Sequence, residues 1–267
     1  STVTQISVAT RISDQSRVPD TNYQALVDFY HSMNVPGWNT KWDVSQNDLH
    51  EGAWHGLTIE DGHIVSIRLG NNRLNGEIPS SFSNLKHLRH LYLEGNYYNQ
   101  HHLKGNSMES LSTLENLEYL NLQYCQLQGS VPSTWGKLSK LKELYLSYNA
   151  LTNLPDELAD LELLVHFSVA NNKIGQLPYN IIDLELTTAK FENQVINLDS
   201  VIVNAHNLVV TLPNICTYAI NGGVGSFNNN NSFDLYINNV YKKAGYSGKD
   251  GKIVFTEVDE LELDNQI

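Results

Sequence analysis

The chain has 267 residues, 41% of them hydrophobic and 17% charged, and a formal net charge of −12. That leaves room for one large globular domain or two modest ones. The excess negative charge repels phosphate backbones and anionic headgroups, and no apolar run reaches the ~18–20 residues that span a bilayer, so nucleic-acid partners and membrane insertion are excluded.

In chain order, "DTNYQALVDFYHSM" predicts a helix with Tyr23, Leu26, Val27, Tyr30 and Met33 on one face and Asp20 or Thr21 as its N-cap. A segment carrying Trp38, Trp42 and Trp54 follows, and its tryptophans are expected to plug a core. From Ile64 a spacing recurs, L-x-x-L-x-L-x-x-N-x-L, numbered here 1 to 11. It fits Ile64, Ile67, Leu69, Asn72, Leu74; then Leu88, Leu91, Leu93, Asn96, Tyr98; then Leu117, Leu120, Leu122, Cys125, Leu127. It fits again at Leu141, Leu144, Leu146, Asn149, Leu151 and at Leu164, Phe167, Val169, Asn172, Ile174. A degraded sixth copy is Leu186, Ala189, Phe191, Gln194, Ile196. The copies start 24, 29, 24, 23 and 22 residues apart. Four end in an apolar-Pro pair: Ile78-Pro79, Val131-Pro132, Leu154-Pro155 and Leu177-Pro178.

This pattern resembles the leucine-rich-repeat family over residues 55–200, in its plant-type G-x-I/V-P variant, which also occurs in secreted bacterial proteins. The resemblance implies an α/β solenoid: a right-handed horseshoe with a concave parallel β-sheet, an N-terminal helical cap and a C-terminal β cap. Strand side chains alternate, so positions 4 and 6 point inward, and the position-9 amide satisfies backbone groups of adjacent coils. Cys125 takes that slot in the third copy as an interior thiol, and no bridge to Cys216 is expected. The Trp segment is similar to the cap that precedes such repeats. It lacks the cysteine pair usual in plant versions, and the chain has one N-x-S/T sequon, at Asn230. Both departures point to a bacterial protein.

Beyond Ile196 the register is ambiguous, because Leu198, Val201, Val203, His206 and Leu208 also fit the spacing. "SFDLYINNVY" and "GKIVFTEV" alternate as strands around the turn "YSGKDG" and predict a small β cap, sandwich-like. The expected division is 1–57 as N-terminal cap, 58–208 as repeats and 209–267 as C-terminal cap.

The sequence carries no P-loop, nucleophile elbow or zinc-protease motif, and neither cofactor nor metal is expected; the adjacent His101 and His102 are a poor metal pair. Binding is the better reading. Positions 3, 5 and 8 project from the sheet and place Tyr92, Tyr119, Tyr124, Tyr145 and Tyr148 on neighbouring coils, with Arg68, His90, Asn121, Glu143 and His166 among them. The expected function is non-catalytic recognition of a protein ligand by a monomeric, secreted or cell-surface protein. A glycan ligand, an enzyme-inhibitor role and a structural or adhesive spacer are the alternatives.

Overall fold

The computed structural model describes residues 18–190, apart from 46–48, 51, 176, 179–180 and 182–183, together with five strands between 201 and 256. Helix α1 (Asp20–Ser32) starts after Pro19, whose carbonyl accepts from the amides of Asn22 and Tyr23 at 2.9 and 3.0 Å. The cap position is Pro19, which has no side-chain acceptor, rather than the expected Asp20 or Thr21. Proline's fixed φ preorganises the chain for a helix entry without such an acceptor. The buried stripe is Asn22, Ala25, Leu26, Phe29 and Met33, with Tyr23, Val27 and Tyr30 half-buried along its edge. Phe29 packs on Phe82 of the first repeat at 5.1 Å and on Trp38 and Trp42 at 6.2 Å each. Trp38, Trp42 and Trp54 are buried as expected, and Trp42 stacks on Trp54 at 5.0 Å. The cap is thus an aromatic plug over the open end of the first coil, which a stack of repeats needs because a single coil leaves its apolar face exposed.

An antiparallel hairpin, β1 (Leu57–Glu60) and β2 (His63–Arg68), carries the chain into the main sheet. Strands β4 (His90–Tyr92), β6 (Tyr119–Asn121), β8 (Glu143–Tyr145), β10 (His166–Ser168) and β11 (Thr188–Lys190) then add in parallel, one per coil, with β3 (Asn75–Gly76), β5 (His102–Leu103), β7 (Gln128–Ser130) and β9 (Ala150–Asn153) forming two small sheets elsewhere on the coils. The register is unbroken: Ile67, Leu91, Leu120, Leu144, Phe167 and Ala189 are Cα partners in turn, all at position 4 and all buried. Each buried leucine is worth ~1.5–3 kcal/mol by area. Pro79, Pro132 and Pro155 each precede a 3-10 turn, where a missing amide costs nothing. The second coil lacks that proline and carries a short helix instead, α2 (Ser107–Ser110).

The remaining strands are β12 (Val201–Asn204), β13 (Asn207–Thr211), β14 (Ser232–Ile237), β15 (Val240–Ser247) and β16 (Lys252–Thr256). They form one antiparallel sheet in the order β12-β13-β16-β15-β14 rather than a sandwich. Strand β13 runs across residue 208, so a boundary there falls inside a strand. Val201 and Val203 belong to a hairpin, with Val201 paired to Val210, and not to a repeat coil. A hairpin and a coil share the same apolar alternation, so Val201 and Val203 fit the repeat spacing without belonging to a coil. Phe191, Gln194, Ile196, Cys216 and the sequon Asn230 lie outside the described residues.

Candidate functional site

Asn149 shows what the ninth position does. Its Nδ2 donates to the carbonyls of Leu122 and Leu146 at 2.9 Å each, and its Oδ1 accepts from the amides of Cys125 and Leu127 at 3.0 Å each. One side chain thereby satisfies four buried backbone groups on two coils. Asn172 repeats the pattern one coil on. Asn72 has only the cap before it, and pairs with Thr40 through both its amide atoms, at 2.8 and 3.0 Å. Cys125 fills the slot with Sγ donating to the Leu93 carbonyl at 3.0 Å, and burial pushes its thiol well above the usual range.

The second coil departs from the sequence reading. Tyr98, matched to inward position 11, is 94% exposed, and Asn96 is on the surface. Residues 96–100 are a five-residue insertion, the excess of the 29-residue spacing over 24. His101 takes the ninth position and Leu103 the eleventh. His102 pairs with Asn75 just as Ala150 pairs with Gln128, position 10 against position 12 in both cases. His101 is fully buried; its Nδ1 donates to the Leu93 carbonyl at 2.9 Å and its Nε2 accepts from the Arg73 amide at 3.1 Å. These partners require the neutral ring, and burial drives the group down to about 4. Gly95 is needed where the insertion begins, since a Cβ there would lie 2.7 Å from the Asn99 and Tyr124 carbonyl oxygens.

On the face away from the core, the Arg68 guanidinium lies 3.8 Å from the Tyr92 ring centre. Tyr92 stacks on Tyr119 at 4.2 Å, and Tyr119 meets Tyr145 at 5.5 Å. The result is a continuous cation–aromatic ladder over four coils, each ring half-buried. Tyr145 donates its hydroxyl to Glu143 at 2.8 Å. Burial raises Tyr119 to about 12 and Tyr145 further still, so both hydroxyls remain donors. His90 and His166 flank the ladder in the column that also holds Tyr119 and Glu143. Burial lowers His90, opposed by Glu118, so it is a neutral ring at neutral pH rather than a cation. Asn121, expected on the outward face, is buried instead. It is 7% exposed, and its Oδ1 accepts from Gln123. Its Cα partners on the neighbouring strands are Tyr92 and Tyr145.

Tyr124 and Tyr148 separate from this ladder. They sit at position 8, three residues past the ends of β6 and β8, and stack on each other at 4.2 Å and 7°. Their φ angles are 54° and 60°, matching Asn71 (58°) and Asn171 (56°) at the same position of other coils. The left-handed conformation belongs to the turn, and asparagine tolerates it where tyrosine does not. An L-residue held there costs about 1–2 kcal/mol, while one ring pair returns about 0.5–1.5. Two strained tyrosines therefore cost more than their mutual contact returns. Beside them lies the insertion with Tyr97 (74% exposed) and Tyr98, rings 5.2 Å apart. Sequence reading missed this pair; the 29-residue spacing was the available signal.

Family models for leucine-rich repeats match residues 63–85 and 115–174. These coincide with the coils whose Asn and Leu positions have just been described. Those two stretches are leucine-rich repeats. It is 31% identical over 140 residues to Receptor-like protein 49 of Arabidopsis thaliana, 49% of this chain and 16% of that one. It thus spans about a sixth of the length of the curated relatives it matches. Among solved structures, the BIR2 ectodomain from Arabidopsis thaliana superposes with a TM-score of 0.51 at 26% identity, covering 61% of this chain and 85% of that one. A chain of the BIR3–SERK2 complex, from the same plant, superposes at 0.51 with 23% identity, covering 67% and 98%, and shows the fold alone. These relatives are plant proteins and do not support the bacterial source read from the missing cysteine pair. Among the described residues of this repeat protein, no helix is long and apolar enough to cross a membrane, and no three His, Cys, Asp or Glu converge as metal ligands.

Proposed function

We propose that this chain is a non-catalytic recognition module that binds a protein ligand on the concave face, outside the cell or at its surface. The Arg68–Tyr92–Tyr119–Tyr145 ladder carries the reading. It offers large, low-entropy aromatic area at the centre of the sheet, with His90, Glu143 and His166 around it as a polar rim. The receptor-like relative and the BIR2 ectodomain support the extracellular setting. The chain divides into an N-terminal cap, the repeats and a C-terminal β unit that begins at β12. The module acts as a monomer.

The test is a binding screen against an array of secreted and ectodomain proteins, followed by the double variant Tyr92→Ala, Tyr145→Ala. Binding should be lost with an unchanged melting curve. A hit that survives the double variant at full affinity would remove the ladder from the interface, and turnover of a peptide, ester or polysaccharide that tracks the protein would overturn the non-enzyme reading.

A further inference from the structure

The rim at position 8 differs in chemistry from the concave face. The column reads Asn71, Gly95, Tyr124, Tyr148, Asn171, and the insertion beside it reads Asn-Tyr-Tyr-Asn-Gln, so neither holds a charged residue. Arg73 reaches the loop, but its Nε is held by the Asn99 Oδ1 at 3.2 Å. The concave face, by contrast, carries Arg68, Glu143 and the Lys142–Glu118 pair.

The rim is also held in place. Asn71 sits at its centre: Asn96 Nδ2 donates to its Oδ1 at 2.5 Å, and its carbonyl accepts from Asn39 at 2.7 Å and Asn99 at 3.2 Å. Behind the loop, the His101 amide donates to the Tyr124 carbonyl at 2.8 Å. The insertion is therefore anchored from both sides, against the coil of Asn71 and the coil of Tyr124. Its two tyrosines still remain almost wholly in solvent, where burial contributes nothing to folding. Tyr124 and Tyr148 hold a backbone conformation that the same turn elsewhere gives to asparagine. Strain of this kind, set beside solvent-exposed rings, marks a surface shaped for a ligand rather than for stability.

We infer that this rim is a second binding site, separate from the ladder, and that its ligand is a neutral oligosaccharide chain. Exposed ring faces suit the C–H faces of sugar rings, and side-chain amides exchange hydrogen bonds with hydroxyls. Neither the column nor the insertion itself holds a charge to pair with a carboxylate or sulfate, Arg73 at the edge being the neighbouring cation, and the net charge of −12 disfavours anionic glycans further. Burial and its bond to Tyr148 raise Tyr124, so that hydroxyl stays protonated across physiological pH.

The experiment is affinity electrophoresis of the whole chain through gels cast with xyloglucan, mixed-linkage β-glucan, galactomannan or laminarin, with polygalacturonate and heparin as charged controls. At least one neutral gel should retard the protein, and retardation should persist to about 0.5 M salt, where long-range charge effects are screened. The variants Tyr97→Ala with Tyr98→Ala, and Tyr124→Asn with Tyr148→Asn, should each weaken that retention by at least about tenfold, the loss of one strong anchor. Tyr92→Ala with Tyr145→Ala should leave it intact, so a failed ladder and a failed rim are read separately. No retardation in any neutral gel overturns the inference. So does retention only in charged gels, or retention that the ladder variant removes and the rim variants spare. The exposed positions of Tyr97 and Tyr98 keep that variant folded, which a melting curve verifies.

Discussion

The second and fourth coils solve one problem with different residues. In the fourth, Asn149 directly follows position 8 and bridges two coils through four backbone bonds. In the second, the chain makes a five-residue excursion and returns with His101, which meets two backbone groups with its two ring nitrogens. The slot is defined by buried amides and carbonyls that need partners, and any side chain with a donor and an acceptor at the right reach can fill it. The difference is titration: an amide is indifferent to pH and an imidazole is not.

Both coils share a leucine core, and breaking it should have the largest effect. Leu144→Ala in the fourth coil and Leu91→Ala in the second should each cost ~2–5 kcal/mol in urea unfolding, since both side chains are fully buried. Tyr119→Ala on the open side of the same sheet should cost less than about 1.5 kcal/mol. Equal losses at the two kinds of position would mean the inward register is wrong.

The pH response should then separate the coils. The unfolded chain binds a proton at His101 near pH 6.5, the folded chain only near 4. Stability from this group is complete above about pH 6.5 and is lost as pH falls through that window towards 4, by an amount on the order of 3 kcal/mol. His101→Asn should flatten that part of a stability–pH curve. A curve that keeps its slope in the variant would assign the titration elsewhere.

Removing the excursion should cost less. Deletion of 96–100 together with His101→Asn gives the second coil the ninth-position asparagine of the fourth without the excursion, and stability should change by within about 1 kcal/mol, because shortening a surface loop alters closure entropy only slightly. A large loss in calorimetry would show the loop to be structural.

The smallest effect belongs to the rim. Tyr148→Asn relieves left-handed strain and forfeits one ring stack, terms of about 1–2 and 0.5–1.5 kcal/mol that nearly cancel. The melting temperature should move by no more than a few degrees, and upward if strain dominates.

The repeat spacing by itself placed almost every inward residue, from Ile67 to Ala189, along with the Cys125 slot. A fixed period leaves one way to bury every copy. It also named the tyrosines of the ladder, because strand side chains alternate strictly. Tertiary structure decided the rest. Asn96 fits the spacing as well as Asn149 does, and only the coils on either side, with their unmet amides and carbonyls, select His101 five residues on. Tyr92 and Tyr124 read alike in a list of outward positions. The backbone is extended at the first and left-handed at the second, and that single change of φ sends one ring over the sheet and the other to its rim. Periodicity reports which side of a coil a residue occupies, whereas the direction of its side chain beyond the strand depends on a turn whose shape the neighbouring coils hold in place.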